Sequence, residues 1–197
     1  MPSESVWFEQ VDTALIDYIQ SVVKLEDSMG YLVPVPVSVR KPDEDFKIEA
    51  YPCITLYNLY SQRDEVRYFP GSVVVSRDHD ASTLVTERGA IPYSLFYQID
   101  FWSRYQTDMN EMTRKWLSYH PDRCFNLPVK DMSGKDRSSF VLMTDDLKKS
   151  DLLENSERLF HSMMTYRVWV ELDDNIQTVK PMVSSIDLNT VRKERRF

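Results

Sequence analysis

The chain of 197 residues carries 24 lysines and arginines against 31 aspartates and glutamates, which gives a formal net charge of −7. That balance excludes a general nucleic-acid binder, which needs a basic surface to displace the counterions of phosphate groups. With 42% hydrophobic and 28% charged residues, the composition indicates a folded chain with a sizeable core and excludes global disorder.

Two cysteines, Cys53 and Cys124, are far apart in the sequence and belong to no metal or redox motif. We expect both to be buried or half-buried free thiols in a reducing compartment. The first residues show neither the basic nor the apolar region of a signal peptide, and no apolar run approaches the roughly 18 residues of a membrane span. The sequence therefore predicts a protein made in the cytoplasm, with no membrane partner.

The first predicted element is an amphipathic helix. Apolar residues recur at spacings of three and four from Phe8 to Leu25, which places them on one stripe of a helix. Polar residues fill the opposite side, and Gly30 marks the end of the segment.

A β-rich segment with two prolines follows at residues 32–39. Pro34 and Pro36 have the same parity, so both missing N–H groups would lie on one side of a strand, which only an edge strand or an extended arm tolerates. Such a segment is suited to pairing with another chain. Its candidate contact residues are Val35, Val37 and Val39.

The next predicted elements are a strand and an inserted hairpin. Residues 53–60 have the composition of a strand that is largely covered on both faces. Residues 66–88 predict a β-hairpin insertion, with strands at 72–76 and 82–86, that projects from the body. The candidate contact residues of this hairpin are Val73 and Val75.

Residues 93–102 predict the clearest strand. Its odd positions are all apolar or aromatic, whereas its even positions mix polar residues with Phe96 and Trp102, so one face belongs to a core. Aromatic residues are enriched at the centres of protein interfaces. We therefore predict that Phe96 and Trp102 contact another subunit.

A second helix is predicted directly after this strand. Asp108, with Glu111 three residues later, fits a capping box, and Pro121 ends the helix. One face of the helix is predicted to carry Met109, Met112, Trp116 and Tyr119.

The remaining sequence predicts two further strands and a basic tail. Residues 122–139 are polar and turn-rich, a strand is expected at 139–143, and the last strong strand is 160–172, whose even positions are mostly apolar. Residues 190–197 form a basic tail that we expect to be flexible in the free monomer. Its candidates for docking on an acidic surface are Arg192, Arg195 and Arg196.

No catalytic or cofactor site is recognisable in the sequence. The four glycines form no phosphate-binding loop. His79, His120 and His161 stand in no metal-ligand or nucleophile motif. We expect His120 to act as a cation at a helix end, and His161 to lie at the surface or in an interface. The sequence therefore predicts no enzyme activity, no metal and no cofactor.

These elements together predict an α+β fold. We expect a central, mostly antiparallel sheet, flanked by the N-terminal helix and a second helix, with an inserted β-hairpin. Residues 1–197 are expected to form a single domain.

The order of elements resembles the tail terminator, or tail-completion, proteins of tailed bacteriophages. The resemblance is carried by Pro-Cys-Ile-Thr-Leu at 52–56, by the strand from Tyr93 that runs straight into the helix containing Trp116, and by the strand at 161–170. Gln-Ile-Asp-Phe-Trp-Ser at 98–103 is the most family-like part. The similarity is one of pattern rather than of a diagnostic motif.

The resemblance implies a structural virion protein that forms a homo-oligomeric ring, commonly a hexamer, at the head-proximal end of the tail tube. Such a ring terminates tail elongation and joins the tail to the head connector, with DNA only as cargo passing through the lumen. The implied partners are further copies of the chain, the tail tube protein and the head–tail connector protein, with the sheath protein as a further candidate. Assembly would take place in the host cytoplasm.

Two alternatives stay open at this point. The first is another neck or tail component, such as a connector or tube protein. The second is a small cytosolic enzyme that shares the α+β plan.

Overall fold

The computed structural model describes residues 4–40, 50–68, 72–78, 83–88, 91–130, 136–154, 157–172 and 177–181. The chain divides into two compact units. The first comprises Met1–Asp64 and Pro92–Glu171, and the second comprises Glu65–Ile91 and Leu172–Phe197. The predicted basic residues of the tail, Arg192, Arg195 and Arg196, lie outside the described residues.

The described elements are two helices and eleven strands. In chain order they are α1 (Glu4–Val22), β1 (Lys24–Glu26), β2 (Leu32–Pro34), β3 (Val37–Arg40), β4 (Cys53–Arg63), β5 (Ser72–Asp78), β6 (Thr83–Arg88), β7 (Ile91–Ser103), α2 (Gln106–Tyr119), β8 (Cys124–Lys130), β9 (Asp136–Glu154), β10 (Glu157–Leu172) and β11 (Gln177–Pro181). Neither described helix combines the length and apolarity that crossing a bilayer requires.

The first unit is built on a six-stranded sheet with the order β3-β4-β7-β10-β9-β8. β3 is parallel to β4, whereas the pairs β4–β7, β9–β10 and β8–β9 are antiparallel. Arg167 contacts Ser94, and His161 contacts Asp100, so β10 also runs antiparallel to β7. The predicted α+β fold with a mostly antiparallel sheet is confirmed.

Both helices pack on one face of this sheet because the strands alternate apolar and polar residues. Leu95, Tyr97, Ile99 and Phe101 of β7 are buried, as are the even positions of β10 from Met164 to Val170. Trp116 of α2 lies fully buried between them, perpendicular to the ring of Tyr166. The helix face that the sequence predicted around Met109, Met112 and Trp116 is therefore core, whereas Tyr119 is 64% exposed and that part of the prediction is wrong.

The helix α1 is positioned by its apolar stripe and by two specific contacts. Val11, Leu15 and Ile19 recur at a spacing of four and are buried. The hydroxyl of Tyr97 donates a 2.7 Å hydrogen bond to Oδ1 of Asp12. The ring of Tyr18 stacks on Phe125 of β8, with 4.6 Å between ring centroids.

The proline-containing segment differs from the single strand that the sequence predicted. It is divided into β2, which pairs with β1, and β3, which lies at one edge of the six-stranded sheet. The two ladders separate at Val35 and Pro36: the Val35 N–H donates to the Val23 carbonyl, and the Pro36 carbonyl accepts from the Ile54 N–H. β3 lies at an edge of the six-stranded sheet, as predicted. An edge strand tolerates a neighbouring proline, because one of its sides needs no hydrogen-bond partner.

Two predictions about the sequence around α2 are wrong. The helix begins at Gln106 after an N-cap residue, Tyr105, that makes no side-chain capping bond, so Asp108 is not the cap. The polar region after the helix contains β8, which the sequence analysis did not predict. Phe125, Leu127 and Val129 of this strand are buried and alternate with exposed residues, which is the period-two signal that could have identified it.

The second unit contains a three-stranded sheet with the order β11-β6-β5. β5 and β6 form an antiparallel pair within the region 66–88 that the sequence predicted as a hairpin, and both strands extend beyond the predicted ends. β11 pairs with β6 and was not predicted. Val73 and Val75 lie on β5, and their side chains are outside the described part. The single-domain organisation stays a prediction.

Candidate functional site

The face of the six-stranded sheet opposite the helices, called the far face below, carries aromatic residues rather than a purely polar surface. It is defined by Phe96, Trp102, Phe140, His161 and Trp169, all of which are half-buried. These side chains alternate along their strands with the core residues that contact the helices, so strand alternation alone places them here.

Arg167 organises one half of the far face. Its guanidinium lies 5.8 Å from the ring centroid of Phe96 and 5.3 Å from that of Trp169, within the range of cation–π attraction. The same group donates hydrogen bonds to Ser94 and to the carboxylate of Asp64. Phe96 is therefore surrounded by residues of its own chain.

The ring of Phe96 also stacks on Tyr60, with 4.4 Å between centroids, and Tyr60 is 53% exposed. Beside this pair lies a groove of about 500 Å³ whose lining includes Met163 and Lys148. The groove combines exposed apolar area with charged groups at its rim, which is a composition suited to protein contacts.

A hydrogen-bonded chain of three side chains occupies the other half of the far face. Nε2 of His161 lies 3.0 Å from Oδ1 of Asp100, and Nδ1 lies 2.8 Å from the hydroxyl oxygen of Ser150. Because an ionised carboxylate can only accept, Nε2 carries a proton and donates to Asp100. Ser150 and His161 are 11 residues apart and form no recognisable nucleophile motif in the sequence, so this cluster was not predicted.

Further contacts fix the position of His161. The ring of Trp102 stacks on the imidazole with 3.9 Å between centroids, and Nε1 of Trp102 donates to Thr55. The amide of Gln98 donates to both oxygens of Asp100. With its side chain only 10% exposed, His161 links strands of its own sheet, so the surface alternative of its prediction is wrong, whereas a place in an interface stays a prediction.

Chemically, the Ser150–His161–Asp100 cluster has the order of a nucleophile, a base and a carboxylate. An acyl-transfer site also needs N–H donors that converge on the oxyanion next to the nucleophile. Across the described ranges, no contact identifies such donors beside Ser150, and the hydroxyl belongs to a residue in the middle of a paired strand. The contacts support a structural role, in which the cluster joins β7, β10 and β9.

His120 also differs from its prediction. It is 3% exposed, and burial lowers its pKa, so the ring is neutral at neutral pH rather than a cation at the helix end. Nδ1 donates to the Trp116 carbonyl, and Nε2 accepts from the hydroxyl of Tyr18. This ring belongs to the core between α1 and α2.

The clearest exposed apolar surface lies at the turn between β1 and β2. Residues 29–33, called the β1–β2 tip below, include four strongly exposed apolar residues: Met29 at 81%, Tyr31 at 68%, Leu32 at 58% and Val33 at 46%. The turn is well defined, because Oδ1 of Asp27 accepts hydrogen bonds from the backbone N–H groups of Met29 and Tyr31. Gly30 has a φ of 81°, a conformation that disfavours other residues.

The residues predicted as interface candidates are distributed over several places. Val35 is buried under the first unit's own residues, Val37 is half-buried, and Val39 is 38% exposed on the edge strand. Phe96 and Trp102 share the far face, each with a partner ring from the same chain. A role of these residues in contacts between subunits stays a prediction.

Metal and thiol chemistry find no support in the described residues. Within those ranges, no three His, Cys, Asp or Glu side chains cluster as a metal site. Cys53 is buried and Cys124 is half-buried, and both are free thiols, as predicted. Burial raises the pKa of Cys53 to about 12, so its thiol stays protonated and unreactive.

Comparison with known proteins gives distant structural likenesses only. No family model matches the chain, and no curated protein matches it. The sheath/tube terminator of an extracellular contractile injection system, solved in its extended state, is similar with a TM-score of 0.44 and 13% sequence identity. That match covers 94% of this chain and 69% of the other. A likeness at this distance assigns no function to the chain.

Proposed function

We propose that this protein is a structural component of a phage tail that assembles into a ring at the head-proximal end of the tail tube. There it stops elongation of the tube and joins the tail to the head connector. The observation that carries the proposal is the β1–β2 tip, which exposes four apolar side chains within residues 29–33 on an ordered turn. The element order that resembles tail terminators supports the same assignment.

Self-association follows from the cost of leaving such a surface in water. Adjacent exposed apolar residues are characteristic of protein interfaces, whereas single exposed ones are ordinary. β3, an edge strand with Val39 exposed, follows β2 in the chain and adds unpaired backbone hydrogen-bonding groups to the apolar contacts of the tip. We infer that this region contacts a different patch on a second copy, because closed rings are built from head-to-tail contacts.

The charge of the chain is compatible with a ring around passing DNA. A net charge of −7 keeps separate subunits apart in dilute solution and repels phosphate groups in a lumen. The proposed partners are further copies of the chain, the tail tube protein and the connector protein, with the sheath protein as a further candidate.

The β1–β2 tip provides a direct test of ring formation. Tyr31→Asp combined with Leu32→Asp adds charge where the side chains are 68% and 58% exposed, so the fold of the monomer is expected to stay intact. Tyr105→Asp is the matched control, because Tyr105 is 69% exposed on another surface. Sedimentation velocity is expected to show oligomers for the wild type and the control, and monomers for the double variant. Oligomers of unchanged size in the double variant would exclude the tip as a subunit contact.

The tail function requires a second experiment with the proposed partner, the tail tube protein. Tube protein that polymerises alone is expected to form tubes of variable length, and added protein is expected to cap one end and stop growth. Electron microscopy of the capped ends distinguishes a terminator from a tube or connector component, which would join the lattice or bind elsewhere. Unchanged tube lengths with a folded, oligomeric protein would refute the terminator role.

The cluster Ser150–His161–Asp100 favours one alternative, a hydrolase. A serine activated in this way reacts covalently with a fluorophosphonate probe. We expect no labelling of the wild type, because no oxyanion donors are found beside Ser150 in the part of the chain that is described. Stoichiometric labelling that disappears in Ser150→Ala would establish the enzyme instead.

A further inference from the structure

A second groove lies on the helix side of the first unit, between α1 and the strand β8. It has a volume of about 710 Å³. One wall is a ridge of α1 residues spaced four apart, and the other wall consists of Pro128, Lys130 and Asp136. The α1 ridge consists of Glu9, Thr13, Asp17 and Ser21. Residues at a spacing of four follow one side of a helix, so the groove runs along the length of α1.

The groove is acidic. Its lining includes the carboxylates of Glu9, Asp17 and Asp136 and one cationic side chain, Lys130. All four of these residues are exposed, and none of them forms an ion pair within the described part of the chain. The groove therefore presents negative charge that its own unit does not neutralise.

The charge of the groove favours an occupant rich in N–H donors, because the carboxylates of Glu9, Asp17 and Asp136 accept hydrogen bonds when ionised.

We propose that the α1–β8 groove receives the basic segment 192–197 of a second copy of this chain. The segment contains Arg192, Lys193, Arg195 and Arg196 and only one acidic residue, Glu194. Arginine guanidinium groups pair with carboxylates through two parallel hydrogen bonds. The inference rests on the proposed ring, in which each copy both donates a tail and accepts one.

The dimensions of the groove and the segment agree. Glu9 and Ser21 are twelve residues apart on a helix, which corresponds to about 18 Å. Six residues in extended conformation span at most about 20 Å. The spacing of charges agrees as well, because Glu9 and Asp17 are separated by about 12 Å along the helix and Arg192 and Arg196 by about 13 Å along an extended chain.

Charge reversal on each side of the contact tests the proposal in the full-length protein. The groove variant carries Glu9→Lys and Asp17→Lys, and the tail variant carries Arg192→Glu, Arg195→Glu and Arg196→Glu. The control variant carries Asp122→Lys and Glu171→Lys, which change the net charge as much as the groove variant does at exposed positions outside the groove. Association is measured by sedimentation velocity at low and high salt.

At low salt, about 20 mM, where exposed charges are least screened, each reversed variant alone is expected to need at least roughly tenfold more protein than wild type to associate. The control variant is expected to associate like wild type. An equimolar mixture of groove and tail variants is expected to recover association. In the mixture, the acidic tail of the tail variant fits the basic groove of the groove variant, and the basic tail of the groove variant fits the acidic groove of the tail variant. At high salt, where exposed charges are screened, the difference in association between each reversed variant and wild type is expected to become smaller.

Three results would overturn the inference. If both reversed variants associate like wild type, the groove and the segment do not bind each other, although the proposed ring stands. If the chain that combines all five substitutions associates like wild type but the mixture of the two variants does not, the segment occupies the groove of its own chain. If wild type is monomeric at every concentration, both the inference and the proposed ring are wrong.

Discussion

Tyr97→Phe removes a single hydroxyl group that joins the core of the sheet to α1. The hydroxyl donates a 2.7 Å hydrogen bond to Oδ1 of Asp12, and Tyr97 itself is 1% exposed. Burial raises the pKa of Asp12, and the bond from Tyr97 partly offsets that rise. Without the hydroxyl, a half-buried carboxylate loses its donor while the ring of residue 97 stays in place.

The expected cost follows from the charge of the acceptor. A hydrogen bond to an ionised group contributes about 1.5–3 kcal/mol, and an acceptor left without a partner loses most of that amount. We expect Tyr97→Phe to lower the free energy of unfolding by about 2 kcal/mol at neutral pH. Because the folded pKa of Asp12 lies above the ordinary value of 3.8, stability decreases as pH rises from that value through the folded pKa.

The variant should therefore be compared with wild type at pH 7 and at about pH 4, where more of Asp12 is protonated and the loss is smaller. Urea denaturation gives the free energy and the slope, and an unchanged slope excludes a change in the unfolded state. Tyr105→Phe, at an exposed position, is the control and is expected to cost less than about 0.5 kcal/mol. A cost of Tyr97→Phe no larger than the control at pH 7 would refute the role of this bond.

Three further predictions concern the core and the surface of α2. Burial lowers the pKa of His120 below 6.5, so the folded chain takes up this proton at a lower pH than the unfolded chain does. Stability should therefore fall as pH drops below 6.5. His120→Gln should reduce this change of melting temperature with pH in thermal melts. Trp116→Ala removes a fully buried ring and should lower stability by about 3–5 kcal/mol in urea, or unfold the protein outright. Glu111→Gln breaks ion pairs with Arg114 and Lys115 that are partly exposed at the surface of α2, so the melting temperature should change little.

The elements predicted best from sequence are those with a strict period. The stripe of α1 and the alternation of β7 and β10 place apolar residues on one face, and burial in the structure follows that pattern. β9 was predicted only at residues 139–143, although the strand extends from Asp136 to Glu154. Beyond that short segment the strand is rich in charged residues, which give no apolar signal, and its conformation depends on pairing with β10.

The far-face cluster could not be predicted because it depends on register. Ser150 faces His161 across β9 and β10, and Asp100 reaches His161 from β7, which is distant in the sequence. The pairing of the strands decides which residues meet, and no local sequence pattern predicts that pairing. The burial of His120 is likewise a tertiary effect, since the rings of Tyr18 from α1 and Phe125 from β8 cover a residue that local sequence places at a helix end.

Assembly into a closed ring is tested most directly by native mass spectrometry of the purified full-length chain over a range of concentrations. The proposed function predicts a single dominant oligomer whose mass is a fixed multiple of 23.3 kDa; for a hexamer it is about 140 kDa. Negative-stain images of the same sample should show rings with a central opening. A 23.3 kDa monomer at every concentration, with the protein fully folded, would contradict the account.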